Sequence, residues 1–323
     1  MPAATIVVPF YNAAATLSRC LGALLADRPH DVTVVCVDDG STDESAAIAG
    51  RFQVRLIRHD SRRGASAARN TGARATDAPV LVFVDADVAV REGAVRALLH
   101  TLDADPELRG ANGMFALDSS APGVVTAFVN TSIHYQHLQH GARVASAFTG
   151  LCAMRRAAWE DMGGWDESTS RYADDVATRW VFPPRSIALV PDALGEHLKS
   201  VELRGLLRHR YAVGWHFVRS VAANGAAARA RPSATLLGAR YPLNTLAAAG
   251  TVALLPFVRR RPWLAALPVL AFTAINADFA VFTLRRRGPV EAAVAVPISA
   301  LEGFAYGLGM SAGAIHLLQG ATR

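Results

Sequence analysis

The chain has 323 residues, enough for one large or two small domains with a sizeable buried core. Its net charge of +6 comes with arginines concentrated from Arg204 onward, beside apolar segments and without a nucleic-acid-binding motif. This distribution excludes a nucleic-acid partner and favours a membrane surface. The three cysteines (Cys20, Cys36 and Cys152) lie far apart in apolar contexts, which predicts buried free thiols in a reducing compartment rather than a metal site.

The first 90 residues alternate between short apolar strands and helices. Strands are predicted at residues 5–9, 32–37, 54–57 and 80–84, and helices at 14–26, after residue 43 and at 64–75. Because a helix follows each of the first three strands, the pattern predicts an α/β fold with a doubly wound, mostly parallel sheet. Ligands bind beyond the carboxyl ends of the strands in such sheets, so the polar residues there are candidate site residues.

The predicted strand at 80–84 is uncharged, rich in β-branched residues and followed directly by Asp85 and Asp87. Two carboxylates at the end of a buried strand are unfavourable unless a cation neutralises them. A hard divalent ion that carries a diphosphate has the required charge and prefers oxygen ligands. Two solvated acids in a turn are the alternative interpretation of Asp-x-Asp taken alone.

Four segments resemble, in their order and spacing, the successive signatures of family 2 glycosyltransferases, which have the GT-A fold. They are Val8-Pro9-Phe10-Tyr11-Asn12, Val37-Asp38-Asp39-Gly40-Ser41-Thr42-Asp43, Ala67-Ala68-Arg69-Asn70-Thr71-Gly72 and Asp85-Ala86-Asp87. The resemblance continues through residues 148–156 and 163–167, and it covers residues 1 to about 215.

The resemblance implies a site for a nucleotide-sugar donor, with a UDP-, dTDP- or GDP-sugar as the candidates. Its expected nucleotide contacts are Pro9 and Tyr11 beside the base, Asp38 or preferably Asp39 on the ring N–H of the base, Arg69 facing the nucleotide or diphosphate, and Asp85 on the ribose or a metal-bound water. Asp87 is expected to bind Mg²⁺ or Mn²⁺ directly, with His197 as a further ligand.

The resemblance also implies an acceptor side. Asp174-Asp175 falls where the family has a Glu-Asp pair, and Asp175 is expected to deprotonate the acceptor while a single displacement inverts the anomeric centre. Asp174, Trp165 and Asp166 are expected on the acceptor side. The chain departs from the family at Ala177, where another acid often follows the pair. Arg179-Trp180 follows Asp175 too closely to be the Arg-Trp pair of processive synthases, so we expect transfer of one sugar.

The last third of the chain is apolar. Residues 201–232 have the pattern of an amphipathic interfacial helix and linker, and the following apolar runs at 241–258, 262–284 and 292–318 are separated by arginine triplets. A span requires about 20 apolar residues, so two to three membrane segments are predicted. Asp278 and Glu302 interrupt these runs and are expected to face a partner helix or an acceptor headgroup. The N-terminus shows no signal-type core, so we expect membrane attachment through the C-terminal region.

These observations predict a GT-A catalytic domain at residues 1–200, an interfacial helix and linker at 201–232 and an all-α hydrophobic membrane region at 233–323. The predicted function is an inverting, metal-dependent glycosyltransferase that acts on a lipid-linked or membrane-proximal glycan. We expect it at the cell membrane with the catalytic domain on the cytoplasmic side. With three full spans, one arginine triplet would lie outside the cell, against the tendency of arginine-rich loops to stay in the cytoplasm. A first segment that enters the membrane and returns to the same side would avoid this conflict.

Alternative functions are a polyprenyl-phosphate glycosyltransferase and a catalytically idle membrane assembly protein of the same fold. The histidine-rich segment at 130–140 is expected to form a polar helix or loop over the acceptor cleft rather than a zinc site, because no cysteine or carboxylate accompanies its histidines.

Overall fold

The computed structural model describes residues 3–139, 141–167, 178, 181–225 and 240–321. These residues form two compact units. The first, which we call the sheet unit, contains the described residues of 3–121 and 141–199. The second, the helical unit, contains those of 122–139, 200–225 and 240–321.

Within the described residues, the sheet unit is built on one sheet of nine strands. The strands are β1 (Ala4–Phe10), β2 (Thr33–Asp38), β3 (Arg55–Arg58), β4 (Val80–Val84), β5 (Val88–Val90), β6 (Gly110–Phe115), β7 (Arg143–Val144), β8 (Leu151–Arg155) and β9 (Ile187–His197). Their order is β3-β2-β1-β4-β8-β6-β9-β5, with β7 paired to β9. The first four strands are parallel, as predicted, whereas β8 runs antiparallel to both β4 and β6, which makes the complete sheet mixed.

Short helices connect these strands. They are α1 (Leu17–Asp27), α2 (Ser45–Ala49), α3 (Ala65–Arg74), α4 (Ala94–Ala104) and α6 (Arg156–Asp161). The buried side chains of α1 follow the i, i+3, i+4, i+7 spacing from Leu17 to Leu24, which places one apolar face on the sheet. Helix α3 lies very close to β1, because a Cβ atom at Gly72 would overlap the side chain of Val7. This close approach brings the polar residues of α3 to the carboxyl edge of the parallel strands.

The core of the sheet unit lies around β4 and β8. Every residue of β4 is buried, and Phe83 packs with Cys152, Met154 and Trp165. All three cysteines are free and buried, as predicted. Burial raises the pKa of Cys36 and of Cys152 to about 12, which keeps both thiols protonated and unreactive.

The helical unit consists of long helices. They are α5 (Val124–Gln139), α7 (Leu203–Ala223), α8 (Arg240–Val258), α9 (Ala266–Arg287) and α10 (Pro289–Ala321), with a 3₁₀ turn at Pro262–Ala265 before α9. Among the residues that the structure describes, three segments are long and apolar enough to cross a membrane, namely Arg240–Val258, Pro262–Arg287 and Pro289–Gln319.

Small residues allow α7 and α10 to pack backbone against backbone. A Cβ atom at Gly214 would overlap the carbonyl oxygen of Tyr306, and one at Gly309 would overlap that of Tyr211. Close approach of this kind is typical of helices that associate in membranes, where packing replaces the hydrophobic effect as the driving force.

A buried ion pair connects three helices of this unit. Arg210 of α7 donates from Nε to Glu302 Oε1 of α10 at 2.5 Å and from Nη2 to the Tyr241 hydroxyl of α8 at 2.7 Å. The side chains of Arg210 and Glu302 are both less than one-tenth exposed. Glu302 therefore faces a partner helix, one of the two environments expected for it.

Helix α5 contains the histidine-rich segment up to Gln139, and residue 140 lies outside the described residues. Of the two expected forms, helix or loop, the helix is therefore confirmed up to that residue. Phe128 and Val129, which precede the segment, pack against Leu206 and Phe279 in the core of the helical unit. The expected position over an acceptor cleft stays a prediction.

Candidate active site

Three parallel neighbours, β1, β2 and β4, end at the same edge of the sheet, and the expected nucleotide-binding residues follow those ends. The backbone N–H of Asp39 donates to the carbonyl oxygen of Phe10 at 2.8 Å, which joins the ends of β2 and β1. Pro9 is buried inside β1, whereas the Tyr11 ring is 38% exposed and has the Arg62 guanidinium carbon 4.4 Å from its centroid. Tyr11, and not Pro9, therefore presents a surface on which a base could stack.

The two loops at this edge hold each other in place. Asn12 has a positive φ of 48°, and its backbone N–H donates to Ser41 Oγ at 3.0 Å. Its side-chain oxygen accepts the backbone N–H of Thr42 at 2.9 Å. Because this left-handed residue is Asn and not Gly, its side chain can make this contact. The contact joins the loop after β1 to the loop after β2.

Asp38 has a structural role. Its carboxylate is completely buried, accepts the Ser41 backbone N–H at 2.8 Å and lies 3.1 Å from Nε of Arg58. Oδ1 thus stabilises the turn that follows β2, and Oδ2 faces Arg58 of β3. The expectation that Asp38 contacts the nucleotide stays a prediction.

Asp39 is also buried, and its carboxylate organises the start of α3. Oδ1 accepts the backbone N–H of Arg63 at 2.8 Å, and Oδ2 accepts that of Gly64 at 2.8 Å. His59 lies between two elements, since its Nδ1 is 2.9 Å from Asp39 Oδ1 and its Nε2 is 2.9 Å from Thr71 Oγ1. Sequence reasoning missed His59, although its position directly after β3 places it at the same edge of the sheet.

Arg69 makes the strongest contact with the Asp-x-Asp segment. Its Nη2 donates to Asp85 Oδ1 at 2.7 Å. The Arg69 side chain is 5% exposed, and that of Asp85 is 33% exposed. A buried guanidinium next to a half-open carboxylate fixes Asp85 and leaves part of it accessible from the edge of the sheet.

Asp87 and His197 meet across two strands. Strands β5 and β9 pair antiparallel with Val88 opposite His197, and Nε2 of His197 lies 3.8 Å from Oδ2 of Asp87. The ring of Phe115 stacks on the imidazole at a centroid distance of 4.9 Å. Burial lowers the pKa of His197; the charge of Asp87 opposes this shift and that of Lys199 adds to it. The imidazole is therefore neutral at pH 7, the form that binds metals.

The position of His197 is fixed by its neighbour Glu196. One carboxylate oxygen of Glu196 accepts Nη2 of Arg19 and the other accepts the backbone N–H of Ser120, both at 2.6 Å. Burial alone would raise the pKa of Glu196, but these contacts outweigh it and lower the pKa. The hydroxyl of Ser119 also donates to the carbonyl oxygen of His197.

The donor set fits an ion that arrives with a diphosphate. One carboxylate and one neutral imidazole suit Mn²⁺ or Mg²⁺. Within the part of the chain that the structure describes, no group of three or more His, Cys, Asp or Glu side chains could hold a metal ion. Mg²⁺ is usually bound by one or two carboxylates together with substrate phosphates and water, so two protein ligands are sufficient here.

On the acceptor side, Asn70 holds the loop that follows α6. Its side-chain amide donates to the carbonyl oxygen of Trp165 and accepts the backbone N–H of the same residue, both at 2.8 Å, and it donates to Glu167 at 2.9 Å. The hydrogen bond from Asn70 is the main cause of a lowered pKa of Glu167; partial burial opposes it, and smaller contributions from Arg63 and Arg74 add to it. Sequence reasoning missed Asn70 and Glu167, although both lie inside motifs that it used.

The expected acceptor-side residues have different environments. Trp165 is 2% exposed and packs edge-to-face on Phe83, and its expected place on the acceptor side stays a prediction. Asp166 is exposed on the loop. Asp174, the expected base Asp175 and the pair Arg179-Trp180 lie outside the described residues.

Comparison with known proteins identifies this architecture. Residues 5–160 match the family model described as Glycosyl transferase family 2. This part of the chain is similar to a family 2 glycosyltransferase domain. Glycosyltransferase GlyG of Streptococcus pneumoniae is 31% identical to it over 109 residues, which are 31% of this chain and 36% of GlyG. This chain spans between about a quarter and a half of the length of the curated relatives that it matches.

Solved structures of other transferases share the fold of the glycosyltransferase domain. The mannosyltransferase PcManGT from Pyrobaculum calidifontis, solved with GDP-Man and Mn²⁺, aligns over 97% of this chain and 87% of its own, with 18% identity and a TM-score of 0.57. Glucosyl-3-phosphoglycerate synthase from Mycobacterium tuberculosis, solved with Mn²⁺, UDP and glucosyl-3-phosphoglycerate, aligns over 68% of this chain and 80% of its own, with 18% identity and a TM-score of 0.52. The expected GT-A fold is confirmed.

Proposed function

We propose that this glycosyltransferase is an inverting, metal-dependent and non-processive enzyme that moves one sugar from a nucleotide-sugar donor to a hydroxyl group of a lipid-linked or membrane-proximal glycan. The observation that carries the proposal is the convergence of Arg69, Asp85, Asp87 and His197 at the carboxyl edge of β4. A buried cation, two partly open carboxylates and a neutral imidazole match the charge and ligand requirements of a metal-bound diphosphate.

The donor would lie along the edge of the sheet from Tyr11 to Asp87. Tyr11 and Arg62 provide an exposed aromatic and cationic surface for the base. Asp39 fixes the loop at Arg63 and Gly64 and is our candidate acceptor for the ring N–H. Asp87 and His197 would hold Mg²⁺ or Mn²⁺, which neutralises the charge that develops on the leaving diphosphate.

Transfer requires one proton acceptor. The acceptor oxygen forms a bond to the anomeric carbon while the bond from that carbon to the diphosphate oxygen breaks, and the hydroxyl proton passes to a carboxylate. We assign this role to Asp175 because of its place in the family pattern. Asn70 binds Trp165 and Glu167, which precede Asp175 in the sequence.

The first test is a panel of UDP-, dTDP- and GDP-sugars, with release of the nucleoside diphosphate measured with and without Mn²⁺. Asp87→Ala is expected to lose metal-dependent donor binding and turnover, whereas Asp192→Ala, which removes an exposed acid of β9, should behave as the wild type. Asp175→Asn should retain nucleotide binding and lose turnover by roughly 10²–10⁴-fold, the usual contribution of a general base. Normal turnover of Asp175→Asn, compared directly with Asp174→Asn, would remove our choice of base.

Membrane attachment rests on the three apolar helical segments. The full chain is expected to remain in the membrane fraction after washes with high salt and at alkaline pH, which release peripheral proteins. Donor added outside sealed inside-out vesicles should be consumed, since we propose that the glycosyltransferase domain faces the cytoplasm. Release of the chain by the alkaline wash would contradict the spans, and activity only in right-side-out vesicles would contradict the orientation.

A further inference from the structure

The helical unit contains a cleft that the transfer reaction does not use. It has a volume of about 450 Å³, within the range of ordinary ligand sites. Helices α5 and α9 form its walls, and the side chains used below are Tyr135, Gln139, Asp278, Phe282, Arg285 and Arg286. One part of the wall is therefore aromatic, and the other carries two positive charges.

Arg285 and Arg286 are exposed at the cleft, and the guanidinium carbon of Arg286 lies 5.9 Å from the centroid of the Phe282 ring. Arg210 is neutralised by Glu302, and Arg240 stacks on Phe279 and contacts Ser132. Among the described residues, neither Arg285 nor Arg286 forms an ion pair with a carboxylate, and both are exposed at the cleft. Two adjacent guanidinium groups without an anion favour a ligand that carries negative charge, and phosphate is the group that arginine binds best in this way.

The position of these arginines in α9 defines the kind of anion. They follow an apolar segment that is long enough to span a membrane, so in a bilayer they lie at the depth of the headgroups. Val281 is 45% exposed and Leu284 is 51% exposed beside them, which provides an apolar surface for a hydrocarbon chain. A lipid phosphate satisfies both requirements, whereas a free phosphate ion satisfies only the first.

Asp278 adds a second requirement. An acid within an apolar span is costly unless it has a partner or a ligand, and this one lies on the cleft. It precedes Arg285 by seven residues, about 10 Å along the helix axis, so it does not neutralise the arginines. The end of the cleft at the arginines therefore keeps its positive charge, and the Gln139 amide on the same cleft can donate hydrogen bonds to, and accept them from, a headgroup that carries hydroxyl groups.

We propose that this cleft binds a phosphate-bearing lipid whose headgroup carries hydroxyl groups. The phosphate and the headgroup contact Arg285 and Arg286 at the end of the span, and the hydrocarbon chain lies along Val281 and Phe282. This site goes beyond the proposed transferase function and does not depend on it, because binding can be measured without donor or turnover.

The test uses native mass spectrometry of the full chain in detergent, titrated with phosphatidylglycerol. Phosphatidylcholine replaces it in a second titration, since its headgroup lacks hydroxyl groups and net charge. Glycerol 1-phosphate and inorganic phosphate form two further arms that separate the headgroup from the lipid. The variant is Arg285→Gln with Arg286→Gln, and its matched control is Arg259→Gln with Arg260→Gln, which removes the same charge from the other arginine triplet.

Phosphatidylglycerol is expected to bind the wild type and the control equally, and to bind the Arg285/Arg286 variant at least about 30-fold more weakly, because this variant loses two charge-assisted contacts with the phosphate. Equal weakening in the two double variants would overturn the proposal, because it would reflect surface charge alone. Equal binding of phosphatidylcholine, or equally tight binding of inorganic phosphate, would overturn it as well. If the glutamine variant fails to fold, Val281→Trp fills the cleft without changing charge and must weaken phosphatidylglycerol binding for the proposal to stand.

Discussion

Asn70 provides the sharpest test of how the site is held together. The amide is 1% exposed, makes two hydrogen bonds with the backbone of Trp165 and donates a third to Glu167. At about 1 kcal/mol for each neutral bond, and a similar amount for the partly solvated third, Asn70→Ala should lower the free energy of unfolding by roughly 3 kcal/mol. For a unit of this size, the loss corresponds to a melting temperature about 6–12 °C lower.

Asn112 is the matched control. It is equally buried, donates to the carbonyl oxygen of Ser146 at 2.8 Å and accepts the backbone N–H of Phe148 at 2.9 Å. Asn112→Ala should therefore cost about 2 kcal/mol for its two neutral bonds. Only Asn70→Ala should increase hydrogen–deuterium exchange in the backbone of residues 163–167, measured by mass spectrometry on the full chain. Two results would refute the role of Asn70 in holding this loop: equal exchange of the segment in both variants, or a fall in the free energy of unfolding of less than about 1 kcal/mol in Asn70→Ala.

Two further predictions concern packing and pH. Gly72→Ala should destabilise the protein by about 1–3 kcal/mol because its Cβ overlaps Val7, whereas Gly22→Ala, in a helix with open space around the glycine, should stabilise it by up to about 1 kcal/mol in denaturant titrations. The pKa of Glu167 is lowered in the folded protein, so its contribution to stability is complete above the unfolded value of 4.5 and is lost as the pH falls through the folded value. Glu167→Gln should therefore show a shallower loss of melting temperature below pH 4.5 than the wild type, and parallel curves would contradict the contact with Asn70.

The strands at the catalytic edge were predictable because their signal is local. The run from Val80 to Val84 is apolar throughout, and the strand occupies those residues in the structure. The parallel order of the first four strands follows from the alternation of strands and helices. The acids that end these strands reach one edge for the same reason, which is why the place of Asp85 and Asp87 at that edge was predictable from their positions alone.

The local pattern did not determine the direction in which each acid points. Asp38 and Asp39 are adjacent, yet one closes its own turn with Ser41 and the other fixes the loop at Gly64. Trp165 lies in a motif associated with the acceptor, but its indole ring is in the core. Such differences depend on the partners that the fold supplies, and those partners are distant in sequence.

The sequence by itself determined the elements and the chemistry available, namely apolar strands that end in carboxylates, a small-residue helix with one arginine, and long apolar helices bounded by arginines. The tertiary structure decided which of these groups meet. Asn70 reaches Trp165 across 95 residues, and Arg210 reaches Glu302 across 92. Hydrophobic periodicity extends over one helix or strand only, because it reports which face of an element is buried. The partner on that face is set by how the elements pack. The contact of Asn70 with Trp165 and the buried ion pair of Arg210 with Glu302 therefore appear only in the folded molecule.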